Sequence, residues 1–261
     1  ISYKDKLFLI TDIRYDKNSR FEGEATYRLS PVIYLDSIRT RFRGAYGTGH
    51  RVPALFELFG SSTTAFGDSF RGNRNLQPEE SKNWEIGFDT DLSAYKTVFS
   101  LTYFNSKIDD LIVASGFPTV PIHSLNAKIN GVEAQITIKP SDKINFNTSY
   151  TFTSAEDSSL GTSLLRRPKH KLNTDIDFKF SKKLNFFVST SYIGETSDVG
   201  FNGGSVYRGG YVLSNTGINF KASESLRLFG KINNVTDNDH EIADGFRGPG
   251  RSIFIGIEKK W

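Results

Sequence analysis

The sequence predicts an all-β chain forming the wall of a transmembrane antiparallel β-barrel, and three observations carry that expectation. Apolar and polar residues alternate with period two through most of the chain. The connections between alternating segments switch regularly between short and long. No stretch approaches the run of about 20 apolar residues that a membrane helix needs, whereas a barrel strand is apolar only at every second position.

About twelve strands are expected, over 5–15, 24–35, 38–47, 82–92, 96–108, 127–139, 144–155, 169–180, 184–193, 210–220, 226–233 and 251–261. The 38–47 strand would set Arg39, Arg41 and Arg43 on one face. In 82–92, Trp84, Ile86, Phe88 and Leu92 alternate with Glu85, Gly87, Asp89 and Asp91. In 127–139, Val132, Ala134, Ile136 and Ile138 alternate with Glu133, Gln135 and Thr137. Ile144, Phe146, Thr148, Tyr150 and Phe152 alternate with Asn145, Asn147, Ser149, Thr151 and Thr153. Leu172, Thr174, Ile176, Phe178 and Phe180 alternate with Lys171, Asn173, Asp175, Asp177 and Lys179. Ile253, Ile255, Ile257 and Trp261 share one face of the last strand, with Lys259 as the polar exception.

The short connections are Asp36-Ser37, Ser93–Tyr95, Pro140–Lys143, Ser181–Lys183 and Lys221–Ser225; the long ones are Thr48–Ser81, Asp109–Asn126, Glu156–Pro168, Glu195–Gly209 and Asn234–Gly250. Short turns on one rim and long loops on the other are the layout of an outer-membrane barrel. A soluble sandwich also alternates, but it buries its apolar face in a core and does not sort its turns by length. A single layer between lipid and a wet or plugged lumen accounts for both faces.

Composition narrows the functional classes. The chain has 261 residues, 13% aromatic, with Phe (22) and Tyr (11) far ahead of Trp (2). No cysteine is present, so disulfides and thiolate metal sites are excluded. The net charge is +4 and the cations are spread along the chain, without the basic cluster that tracks phosphates, so nucleic acid is not an expected partner. Neither a nucleophile elbow nor a carboxylate dyad stands out, so no enzyme activity is expected, and no resident cofactor or metal. Asp109-Asp110 and Asp237/Asp239 read as acidic turns. The chain has no methionine and no leader before Ile1, and is expected to be incomplete at its N-terminus.

Several segments, in order, resemble TonB-dependent outer-membrane receptors. Tyr46 to Leu55 (YGTGHRVPAL) is similar to that family's strand-to-loop segment, with His50 in place of Phe. Gly72 to Glu79 (GNRNLQPE) is similar to its next motif, with Arg74 in place of Pro, and leads into Ser81-Lys82-Asn83-Trp84-Glu85. Asn130-Gly131-Val132-Glu133-Ala134, Asn233-Asn234-Val235-Thr236-Asp237 and Gly248-Pro249-Gly250-Arg251 match three further segments. The resemblance implies a bacterial outer-membrane barrel of about 22 strands closed by a plug. Residues 1–261 would be its C-terminal part, with the plug, early strands and TonB contact before Ile1. It also implies the partners: TonB, the chain's own N-terminal plug domain and the lipid bilayer.

Leu164 to His170 (LLRRPKH) resembles the cobalamin-transporter subgroup of this family. The resemblance implies that Arg166 and Phe201 bind ligand, favouring cobalamin over a ferric chelate such as a siderophore, or haem. A haem ligand is not expected: His50 lies just before the loop where the family's haem receptors carry theirs, and His123, His170 and His240 read as loop and rim residues. Arg39, Arg41 and Arg43 would line the lumen, facing either the plug or acids of the neighbouring strand such as Asp89 and Asp91. Two other classes compete with an energised importer: a passive diffusion porin and a structural barrel used as an adhesion surface. Strands 5–15 and 251–261 should each have an edge left for segments outside the chain, since open edges are not tolerated in lipid.

Overall fold

A computed structural model describes residues 2–3, 6–65, 67–114, 122–200 and 202–260, without the side chains of 2, 3, 114 and 122–124. Twelve long strands form one antiparallel sheet. They are β1 (Leu7–Asp16), β2 (Glu24–Leu35), β3 (Thr40–Arg51), β4 (Glu79–Leu92), β5 (Thr97–Ala114), β6 (Ile122–Ser141), β7 (Ile144–Asp157), β8 (His170–Lys179), β9 (Leu184–Ile193), β10 (Tyr211–Lys221), β11 (Leu226–Asn233) and β12 (Ser252–Lys259). Their order in the sheet is their order in the chain, a simple meander. A two-residue strand, Ser2–Tyr3, pairs the outer side of β1, and β12 pairs β11; β1 and β12 do not pair with each other among the described residues.

Register sorts the side chains into two faces. One cross-strand row runs Ile138, Phe146, Ile176, Val188, Thr216, Ile232, Ile253. The row beside it, pointing the other way, runs Thr137, Asn147, Asp175, Ser189, Asn215. The apolar row is not covered: Ile253 is 65% exposed and Ile176 37%. The accessible surface is 17325 Å², against about 11,500 Å² for a compact protein of this mass. The sheet is therefore one layer thick, without a sandwich core among the described residues.

The polar face is packed locally instead. Gly131, Gly217 and Gly256 lie directly across from Phe104, Phe187 and Phe229, and a methyl at any of the three would overlap the facing ring. Each ring thus covers backbone that a glycine leaves bare, a device that pins strand register.

The twelve expected strands are all present, with differences at their ends. β5 and β6 run far into the expected 109–126 loop and pair with each other as far as Ala114 and Ile122. β3 starts only at Thr40, because Arg39 closes a 3-10 turn in the left-handed conformation (φ 48°). The long loops carry structure that alternation does not reveal: a helix, α1 (Leu55–Phe59), and hairpins Ser61–Thr64/Gly67–Arg71, Thr196–Val199/Ser205–Arg208 and Glu241–Ala243/Phe246–Arg247. The aromatic terminus Trp261 lies outside the described residues.

Candidate functional site in the long loops

Three long loops meet at one buried carboxylate. Asp198 sits on the first strand of the 196–208 hairpin and is fully buried. Its Oδ1 accepts from Arg166 Nε at 2.7 Å and from the Val199 amide at 2.8 Å. Its Oδ2 accepts from Arg208 Nε and from the Asp244 amide, both at 3.0 Å. Arg208, with only 10% of its side chain exposed, also donates to Glu241 and to Asp244 Oδ1. One carboxylate therefore ties the 156–168, 195–209 and 234–250 loops together.

Burial pushes the Asp198 carboxyl up, but four donors more than offset it and hold the group at about 2, below its ordinary 3.8. The Arg208 guanidinium is raised by Glu241 first, against the opposing effect of burial. Both groups stay ionised through the neutral range.

Arg166 is held at two points. Its amide donates to the Ser197 carbonyl at 2.8 Å, and its Nε is committed to Asp198. It adopts a left-handed backbone (φ 58°), yet 55% of its side chain stays open to solvent. Beside it lies a polar cavity of about 220 Å³ lined by Glu156, Ser163, Arg167, Lys169, Glu195 and Tyr207. Phe201, the other expected ligand residue, lies outside the described residues.

The two longest motifs close the loop between β3 and β4. Arg51, within the first and at the end of β3, faces Glu79, at the end of the second, across the β3–β4 ladder. Arg51 Nε donates to Glu79 at 2.8 Å and Nη1 to Glu57 of α1 at 3.1 Å. Glu57 in turn accepts from the Ala54 amide at 2.6 Å, and Glu79 from the Ile112 amide at 2.9 Å. Under these pairs Leu58 and Leu76 form a small core with Phe21, Phe70 and Ile112. Outside it, Arg20 and Arg74 stack on Phe59, with Cζ at 5.0 and 5.4 Å from the ring centre.

The Asn233–Asp237 motif is a loop clasp. Asn234, buried with φ 47°, donates from Nδ2 to the carbonyls of Asn238 (2.9 Å) and Pro249 (3.2 Å). Its Oδ1 accepts from the Asn238 amide at 2.8 Å. Asp237 Oδ1 accepts from the Arg251 amide at 2.7 Å, which joins this segment to the start of the last strand.

The arginines expected together on β3 separate. Arg41 and Arg43 are on the polar face and converge on Asp89 of β4, at 2.7 and 3.3 Å. Arg39 lies in the turn, where its carbonyl accepts from the Asp91 amide at 2.9 Å. Among the histidines, His240 is buried against Tyr211 and His170 Nδ1 is 2.8 Å from the Tyr150 hydroxyl; the side chain of His123 is outside the described residues.

Comparison with known proteins places the geometry. A mutant of the ferric enterobactin receptor PfeA of Pseudomonas aeruginosa, in complex with enterobactin, superposes with a TM-score of 0.80 at 17% identity, over 99% of this chain and 44% of that one. The siderophore receptor PirA of Acinetobacter baumannii gives 0.80 at 17% identity, over 98% and 44%. The copper transporter OprC gives 0.77 at 14%, over 91% and 39%. At such identities the likeness is one of fold, and the chain spans less than half the length of each of these proteins. Residues 1–235 match the family described as TonB dependent receptor-like, beta-barrel, and the chain accordingly belongs to the TonB-dependent receptor β-barrel family.

Proposed function

We propose that this chain is the C-terminal part of the barrel of an active outer-membrane transporter. Its long loops capture a scarce, bulky metal chelate, which is then released to the periplasm by a TonB-driven rearrangement of an N-terminal plug. The observation that carries the reading is family membership across 1–235 joined to a one-layer wall that exposes its apolar face. On that reading Arg41, Arg43 and Asp89 line the lumen toward the plug, with Arg39 at its periplasmic mouth.

For the ligand we favour an anionic ferric chelate of siderophore type, as bound by the similar receptors. Arg166 supports this choice: a planar cation anchored through Nε keeps an exposed edge for oxygen-rich anions or flat rings. Cobalamin remains the second reading, supported by the LLRRPKH segment and by Arg166 and Phe201 as its contacts. The test is equilibrium binding of the full-length receptor to ferric chelates and to cyanocobalamin, with Arg166→Ala alongside. A weakened ferric-chelate affinity in that variant supports the first reading. Tight cyanocobalamin binding sensitive to Arg166→Ala would replace it with the second.

A further inference from the structure

Register stacks three lysines across three neighbouring strands. Lys82 of β4 lies directly opposite Lys107 of β5, and Lys107 directly opposite Lys128 of β6. All three side chains are exposed. Like charges facing each other on a sheet are destabilising, so a row of three calls for an anion. Acids of the chain answer it only in part. Lys107 Nζ reaches Asp109 at 2.9 Å, and Glu156 faces Lys128 in the ladder. No carboxylate pairs with Lys82 or Lys128 among the described residues. Glu80 and Asp109 oppose each other two residues further along the same face.

The row belongs to the apolar face and not to the lumen. It continues Phe88, Ile86 and Trp84 on β4, Leu101, Tyr103 and Asn105 on β5, and Ile136, Ala134, Val132 and Asn130 on β6, each at every second position. Ile138, on the same side of β6 as Ile136, stands beside Phe146 and Ile176. The height of the row is set as well. Between it and the short turn, Trp84–Leu92 supplies about the 9–11 residues that a tilted strand needs to cross hydrocarbon. Trp84 and Tyr103 meet just below the row, with ring centres 5.3 Å apart, and such aromatics mark a membrane–water interface. The three ammonium groups thus stand at headgroup level on the long-loop side, with stems long enough to reach the polar layer.

We propose that Lys82, Lys107 and Lys128 bind the phosphate groups of a lipid in the leaflet on the long-loop side. The proposal rests on the membrane-wall reading above. A compact ammonium acts on phosphate as a point charge, and each lysine near an anionic surface adds to the attraction. Phosphate oxygens placed between neighbouring lysines turn the repulsion along the row into attraction.

The test uses the full-length receptor in nanodiscs of phosphatidylcholine with a minor share of diphosphorylated lipid A, and native mass spectrometry counts the lipids retained on release. Enrichment of lipid A over the bulk is expected, falling by at least about five-fold in Lys82→Gln/Lys107→Gln/Lys128→Gln. The same fall is expected for the wild type offered dephosphorylated lipid A, which supplies the test should the variant fold poorly. Enrichment that is absent in the wild type, unchanged in the folded variant, or as large for the dephosphorylated lipid overturns the proposal. So does release of lipid A by inorganic phosphate at constant ionic strength, which would mark a site for a soluble anion. A receptor that inserts into no bilayer would sink the membrane-wall reading itself, a distinct result seen before any lipid is counted.

Discussion

Arg166 reaches the fully buried carboxylate of Asp198 at 2.7 Å across two separate loops, and through Asp198 it is joined to a third. The same carboxylate satisfies Arg208, whose side chain is almost enclosed. Removing the anion would strand two cations and free two backbone amides. Asp198→Asn should therefore loosen all three loops while leaving the strands intact. Limited proteolysis of the folded receptor is expected to cut within 156–168, 195–209 and 234–250 several times faster than in the wild type. Unchanged cleavage would mean that the loops are held by other contacts.

The pH dependence of this clasp follows from the sign of the shift. Asp198 is held at about 2, below its ordinary 3.8, so its ionised form is favoured by the folded loops. A depressed carboxylate contributes stability above its unfolded value and loses it as pH falls through the folded one. Hydrogen exchange of the three loops should thus show the same protection at pH 7 and pH 5, once corrected for intrinsic rates. Loosening is expected to set in below about pH 4 and to be complete near pH 2. A transition near pH 6 would implicate a histidine instead.

Much of the wall was legible because a barrel strand writes its two environments into alternate residues, as in Ile144–Thr153 and Lys169–Phe180. The loops were not, since their structure depends on pairs such as Arg208–Glu241 and Arg166–Asp198, separated by 33 and 32 positions and obeying no period. Arg166 could be singled out by resemblance, yet its anchor Asp198 carries no local signal. Arg39 was misplaced because alternation with Arg41 and Arg43 says nothing of a left-handed turn residue.

Asn234, itself buried, combines a left-handed backbone with three side-chain hydrogen bonds. Asn234→Ala leaves two carbonyls and an amide without their partner, at about 1–3 kcal/mol for an unsatisfied group. It also keeps a Cβ in αL without the local hydrogen bonds that let Asn tolerate that conformation, a cost of about 1–2 kcal/mol relative to Gly. Asn234→Gly removes the second cost and keeps the first. The expected order of thermal stability, read from heat-modifiable gel migration, is wild type, then Gly, then Ala. If the two variants fall together, the backbone conformation of residue 234 contributes nothing.

Neighbouring residues on β8 test the two faces against each other. Ile176 sits between Phe146 and Val188 on the apolar side, while Asp175 sits between Asn147 and Ser189 on the other. If the apolar side touches hydrocarbon, Ile176→Arg places a charge near the middle of the strand in lipid, at about 2–4 kcal/mol. An arginine at Asp175 meets a polar lumen with amide and hydroxyl neighbours and should cost far less. Urea-dependent folding of the full-length barrel into phosphatidylcholine vesicles is expected to show a clear loss for Ile176→Arg and a small one for Asp175→Arg. A bilayer makes that asymmetry steep, because its centre offers no water to a guanidinium, whereas a water-filled or plugged interior does. Equal costs would place both sides of the sheet in similar surroundings, and the wall would then divide nothing.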